Sequence, residues 1–175
     1  MTFEKQPFKI GNLQLSNRLI QAPLAGISCS AFRELFSLYT KPAYAVTEMI
    51  SAHSLIQHHN LNKRYLSRSN LEGKWCIQLS GHDSELVYQA TKIAESYQPD
   101  LIDLNCGCPK PKIRGKGCGS ALMDNPKELE KVVSAMRRAT NLPLTVKIRV
   151  AGDTNDQSYL AAVKIIEQCG ADAII

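Results

Sequence analysis

No run of about 18 apolar residues occurs in the chain, so the sequence encodes no membrane-spanning helix. The first fifteen residues, MTFEKQPFKIGNLQL, lack both an apolar core segment and a small-residue cleavage site, which argues against a secretory signal. Both absences point to the cytoplasm, where thiols stay reduced. The six cysteines, Cys29, Cys76, Cys106, Cys108, Cys118 and Cys169, are therefore not expected to form a disulfide framework. A structural zinc site needs two closely spaced ligand pairs. Only Cys106 and Cys108 are close, and His53, His58, His59 and His82 lie far from them in sequence, so no metal is expected. The nucleotide fingerprint G-x-G-x-x-G is missing as well. Gly115, Gly117 and Gly119 read G-x-G-x-G after a loop, and are taken as backbone flexibility. No low-complexity tract or linker interrupts the chain, so one domain is expected.

What the chain does contain is ordinary for a globular core: 175 residues, 44% hydrophobic and 21% charged. Its net charge of +5 tilts partners modestly toward polyanions, with a solvated basic surface as the alternative.

Short apolar runs alternate with helical patterns. The runs are Arg18–Leu24, Ala43–Glu48, Trp75–Ser80, Leu101–Asn105, Leu144–Val150 and Ala171–Ile175. Phe32, Leu35, Phe36 and Tyr39 recur at helical spacing, as do Leu129, Val132, Val133 and Met136. The second of these helices has a clear start, with Asn125 as N-cap, Pro126 next and Glu128 at the third position. Further helices are expected from about Ser84 to Tyr97 and from about Asn155 to Cys169, the latter stopped by Gly170. The segment from Ile50 to Arg68 reads as helix with a loop.

Strand–helix repetition predicts an α/β fold with a parallel sheet. Period-2 alternation separates the strand faces. Gln78 and Ser80 share one face, as do Asp103 and Asn105, and Thr145, Lys147 and Arg149. The opposite faces carry Ile77 and Leu79, Ile102 and Leu104, and Val146, Ile148 and Val150. Polar faces on buried parallel strands fit a barrel interior better than a doubly wound sheet, whose strands are apolar on both sides. The expected fold is a TIM-type (β/α)8 barrel, here with about six strands. A closed barrel needs eight in about 250 residues. A chain stopping on the apolar strand GADAII therefore reads as part of a longer barrel, with exposed edges that favour low stability or association.

Candidate chemistry gathers at LNCGCPKPKIRGKG. Cys108 lies at a strand end between Gly107 and Pro109, a turn that can present its thiol as a general acid or nucleophile. The alternative is a small buried hydrophobe, the expected state of Cys106. Lys147 faces inward and needs an anionic partner, either a cofactor edge or Asp103. Gln78 offers both donor and acceptor to a heterocycle, and Asn105 either orients a ring or caps the strand. Lys110, Lys112, Arg114 and Lys116 suit phosphate contacts or a solvated loop.

Taken together, RLIQAPLAGIS, VTEMIS, CIQLSG, DLNCGCPKPKI, GCGSALM and LPLTVKIR resemble the tRNA-dihydrouridine synthase family. KIGNLQLSNR is similar to its bacterial B-type branch. The resemblance implies an FMN-binding barrel that uses NADPH to reduce uridines in tRNA to 5,6-dihydrouridine. It implies Cys108 as proton donor to C5 of the base. It implies Pro23, Leu24, Ala25, Gln78 and Lys147 as flavin contacts, and Asn105 as a residue near flavin and substrate. The basic residues Lys110, Lys112, Arg114 and Lys116 then read as substrate contacts.

The match has departures. The first motif carries Leu24 where the family commonly has Met, and Cys29 where Asp is common. The family's His-Gly-Arg-Thr run, its last barrel strands and its C-terminal helical tRNA-binding domain are not found in residues 1–175. The expectation is thus the N-terminal part of a catalytic barrel, whose activity alone is open. Two other readings stand beside it. One is an FMN barrel acting on a free pyrimidine, as dihydroorotate dehydrogenases do; the other is a non-catalytic RNA-binding fragment.

Overall fold

The computed structural model describes residues 5–58, 63–150 and 159–175. It opens on a small antiparallel hairpin, β1 (Phe8–Ile10) and β2 (Leu13–Leu15), which lies outside the six predicted strands. Gly11 makes its turn at φ +55°, and a Cβ there would meet a carboxylate oxygen of Asp172 at 2.8 Å.

The main sheet is parallel. It contains β3 (Ile20–Gln21), β4 (Tyr44–Val46), β6 (Trp75–Ser80), β7 (Leu101–Cys106), β8 (Leu144–Ile148) and β9 (Ala173–Ile174), in that spatial order. A seventh piece, β5 (Ile50–Ser51), pairs with the end of β6. Each of the six expected strands is present, and the curled sheet has the architecture of a (β/α)8 barrel over these strands. The segment from Ile50 adds β5 to the expected helix, α2 (Ala52–Gln57), and α3 (Lys63–Leu66) follows later.

The remaining helices are α1 (Ser30–Thr40), α4 (Ser84–Glu95), α5 (Pro111–Arg114), α6 (Pro126–Ala139) and α7 (Tyr159–Gln168). The expected start of the last helix at Asn155 lies outside the described residues. Its end is as expected, with Gly170 at φ +83°. Helix α4 starts where the Asp83 carboxylate accepts the backbone N–H groups of Glu85 and Leu86. Helix α6 starts as predicted, with Asn125 Oδ1 accepting from Glu128 N. The Glu128 side chain does not return to the cap; it pairs with Lys131 at 2.6 Å.

Two apolar layers follow from the strand alternation. Ile77, Leu79, Ile102, Leu104, Cys106 and Val146 pack outward under α2, α4, α6 and α7. Leu129, Val132, Val133 and Met136 of α6 are wholly buried in that layer, as their spacing predicts. On the concave side, Tyr44, Cys76 and Leu101 pack with Ile10 and Leu15 of the hairpin, which closes the lower end of the sheet.

Helix α1 departs from its predicted face. Leu35 and Tyr39 are exposed, and Arg33 and Ser37 are buried instead. The cause is a fully buried ion pair, Arg33 Nε to Glu72 Oε2 at 2.7 Å. Arg33 also donates to the carbonyls of Ser28 and Ser67 and lies over the Trp75 ring. A buried charge must be paired, and this requirement turns the helix against its apolar stripe.

Candidate active-site cleft

The C-terminal ends of the barrel strands converge on an open cleft of about 800 Å³. Pro23 and Ala25 follow β3, Met49 follows β4, and Gln78 stands on β6. Asn105, Gly107 and Cys108 come from the end of β7, and Lys147, Ile148 and Arg149 from β8. Lys110, Lys112 and Ile113 close the rim, facing Tyr65.

Strand register brings the polar residues together. Gln78 pairs with Asp103, Asp103 with Thr145, and Asn105 with Lys147. Paired residues in a parallel sheet share a face and stand about 4.8 Å apart. Their side chains form one continuous chain. Thr145 Oγ1 donates to Asp103 Oδ1 at 2.5 Å, and Gln78 Nε2 donates to Asp103 Oδ2 at 2.7 Å. Asn105 Nδ2 donates to Gln78 Oε1 at 2.9 Å. The backbone N–H of Cys108 donates to Asn105 Oδ1 at 3.0 Å. Gln78 and Asn105 each keep one N–H and one lone pair for a group in the cleft.

Cys108 is held on both sides, since its carbonyl accepts Ser120 N–H at 3.0 Å. This requires glycine at 119, where φ is +63° and a Cβ would come within 2.6 Å of the Cys108 carbonyl oxygen. Gly119, whose spacing suggests only flexibility, is a close-approach position. Cys106 sits one pleat away, on the helix-facing side, wholly buried. Burial pushes its thiol well above the usual range. The two cysteines therefore face different environments.

Lys147 is half-buried and lines the cleft. No ion pair joins it to Asp103 among the described residues. Asp103 is 3% exposed, and burial raises its carboxyl to about 7 against the lowering effects of Thr145, Gln78 and Lys147.

The turn after β3 carries Pro23, Leu24 and Ala25. Ser28 Oγ accepts Leu24 N–H and donates back to the Leu24 carbonyl. Pro23 and Ala25 line the cleft; the Leu24 side chain is exposed and does not. Gly26 N–H is taken by the Glu48 carboxylate, which also pairs with Arg64 at 3.3 Å. Glu48 stands in VTEMIS, yet nothing in that motif points to its holding this turn.

The basic segment divides. Lys110 and Lys112 line the cleft, whereas Arg114 donates to Ser120 Oγ and Asp124 Oδ2 at 2.8 and 2.7 Å. Arg114 thus braces the Cys108 loop from behind. Residues two apart on a helical turn point in different directions, so Lys112 and Arg114 of α5 cannot share a face. Lys116 lines a neighbouring cavity with His53, His82 and Cys118. Tyr65, under the Arg64 guanidinium at 4.7 Å, joins the cleft with no motif to single it out, and Met49 joins it from VTEMIS, where nothing in the motif points to that role. Both lie in or beside the segment whose pattern is least regular.

The family model for dihydrouridine synthases matches residues 20–175. tRNA-dihydrouridine synthase B of Vibrio parahaemolyticus is 35% identical over 166 residues, covering 95% of this chain and 51% of that protein. The Shewanella oneidensis enzyme of the same name is 36% identical over 162 residues, covering 93% and 50%. A probable tRNA-dihydrouridine synthase of Treponema pallidum is 34% identical over 174 residues, covering 96% and 51%. The chain thus spans about half the length of the curated relatives it matches. Among solved structures, a variant of NCR from Zymomonas mobilis superposes with a TM-score of 0.64 at 12% identity, covering 99% of this chain and 68% of that one. Histamine dehydrogenase from Rhizobium gives 0.61 at 12%, covering 98% and 42%. These two likenesses concern the fold alone. The family match runs unbroken through every strand that supplies the cleft, and by it this chain belongs to the dihydrouridine synthase family.

Proposed function

We propose that this chain forms the reductive half-site of an FMN- and NADPH-dependent enzyme that converts uridines in tRNA to 5,6-dihydrouridine. One observation carries the reading. In a chain of this family, Cys108 and Lys147 come from adjacent strands into one cleft, with Asn105 in register opposite Lys147.

The residues present fit a flavin. A half-buried lysine with no ion-pair partner among the described residues calls for an anionic group, and Lys147 would hold and stabilise the negative charge of a reduced flavin. Gln78 and Asn105 supply the spare donors and acceptors for a heterocycle. Pro23 and Ala25 line the turn beside them. A flavin held by these residues would supply the hydride chemistry between NADPH and C6 of the base. Cys108 gives the proton to C5, as a general acid whose backbone is clamped at both its N–H and its carbonyl. A uridine in folded tRNA must leave its stack to reach this thiol, at a cost of a few kcal/mol. Lys110 and Lys112 at the rim offset part of that cost through phosphate contacts.

The test is to give purified protein FMN, NADPH and either unmodified tRNA or a free pyrimidine. Dihydrouridine appearing in the tRNA supports the reading. Turnover of the free base alone removes it.

A further inference from the structure

We infer that Asp103 is a positioning residue that sets the hydrogen-bond polarity of the cleft floor, turning the Gln78 and Asn105 amides so that the Cys108 backbone N–H meets an acceptor. The inference deepens the active-site reading of the cleft and rests on it.

The two ends of the chain Asp103–Gln78–Asn105–Cys108 fix its direction. At one end Asp103 Oδ2 is an acceptor, 2.7 Å from the Gln78 amide. At the other end the Cys108 backbone N–H is an obligate donor, 3.0 Å from the Asn105 amide. Two reversible amides stand between them, and an amide can present either its oxygen or its nitrogen. Reversing both would set Gln78 Oε1 against a carboxylate oxygen and Asn105 Nδ2 against a backbone donor. Both contacts would be repulsive, at 2.7 and 3.0 Å. Reversing one alone would break the 2.9 Å link between the amides. A single arrangement satisfies all three bonds. Gln78 is wholly buried and Asn105 is 8% exposed, so water offers little substitute.

The arrangement also survives protonation of Asp103. A proton on Oδ1 points to Thr145 Oγ1, 2.5 Å away, and leaves Oδ2 free to accept. An asparagine at 103 can copy that state, with its Nδ2 toward Thr145 and its oxygen toward Gln78. A leucine of similar size cannot accept from Gln78 at all. Asp103 therefore acts through its acceptor atom, two side chains removed from Cys108.

The test measures iodoacetamide labelling at Cys108 against Cys169 in the same sample by peptide mass spectrometry, without flavin, NADPH or tRNA. Cys169 is half-buried and precedes β9, at the end of the sheet away from the cleft. Asp103→Leu is expected to raise the Cys108-to-Cys169 labelling ratio about fivefold, the effect of freeing one ordinary hydrogen bond. Asp103→Asn is expected to leave the ratio at the wild-type value. General destabilisation would speed both cysteines and leave the ratio unmoved. An unchanged ratio in folded Asp103→Leu overturns the inference, as does a raised ratio in Asp103→Asn. If Asp103→Leu does not fold, Gln78→Leu interrupts the same chain and must raise the ratio while Asp103→Asn does not. Because no substrate or cofactor enters the assay, its failure is separable from failure of the reductase reading.

Discussion

The side-chain oxygen of Asn105 accepts the backbone N–H of Cys108 at 3.0 Å, three residues along the chain. This bond turns the strand end into a platform for the thiol. Asn105→Leu removes the acceptor and leaves a half-buried N–H without its partner. Under the proposed function, displacing the Cys108 sulfur by about 1 Å is expected to lower tRNA reduction about 100-fold. Single-turnover kinetics with reduced enzyme measures it. A wild-type rate would show that the bond does not position the thiol.

Cys108 and Cys106 are separable by mutation. Cys108→Ala is expected to leave flavin reduction by NADPH intact and to slow tRNA reduction by about 10²–10⁴, the usual contribution of a positioned acid. Cys106→Ala instead leaves a small void in the outer core and lowers stability by about 1 kcal/mol. Stopped-flow traces for the two half-reactions, with a denaturation curve, distinguish them. Equal losses of tRNA reduction in both variants would contradict the assignment.

Gly119→Ala attacks the other side of the thiol. The new Cβ would sit 2.6 Å from the Cys108 carbonyl oxygen and 3.1 Å from its Cβ, at a φ of +63°. The left-handed backbone alone costs about 1–2 kcal/mol, and the clash adds to it. We expect lower stability and a displaced Cys108 loop, read by urea denaturation and a crystal structure. An unmoved loop with unchanged stability would refute the close-approach role.

Asp103 should make stability depend on pH with a defined sign. Burial raises its carboxyl from 3.8 to about 7 in the folded chain. It is faced by Tyr44 and Cys76, whose own titrations are pushed upward, and by Gln78, Thr145 and Lys147. Between these two values the folded chain holds a proton that the unfolded chain has lost. Stability from this group is therefore full below about pH 4 and falls as pH rises to about 7. Asp103→Asn removes the titration, so its stability relative to wild type should improve by a few kcal/mol across that window. Urea melts at several pH values check this, and a difference flat with pH would count against it.

Lys110 and Lys112 should act on tRNA affinity and its salt dependence. Replacing either with alanine is expected to lower the slope of log affinity against log salt by about one. Arg114→Ala should act differently, because its guanidinium is spent on Ser120 and Asp124. It should loosen the Cys108 loop and reduce turnover with little change in the salt slope. Filter binding across a salt series separates the two, and equal slopes for all three variants would contradict the division.

Much of this site is legible in strand alternation alone. The patterns of WCIQLS, LIDLNC and LTVKI assign Gln78, Asp103, Asn105, Thr145 and Lys147 to one face, and the cleft and its hydrogen bonds lie on that face. Helix α6 is legible for the same reason, because its apolar period and its N-cap agree. Helix α1 is not. Its best apolar stripe is outvoted by a buried ion pair to Glu72, a residue 39 positions away that no local pattern reveals.

Local periodicity, with motifs that each lie within a dozen residues, suffices for the family, the six parallel strands and the inward set of polar residues. Which inward residues touch is a matter of tertiary packing. Register sets Gln78 against Asp103 and Asn105 against Lys147, and it is fixed by packing between strands rather than within them. The folding of the basic loop likewise brings Lys110 and Lys112 to the cleft while Arg114 turns back to brace it. A one-dimensional pattern can specify a face; only the packed sheet can specify a neighbour.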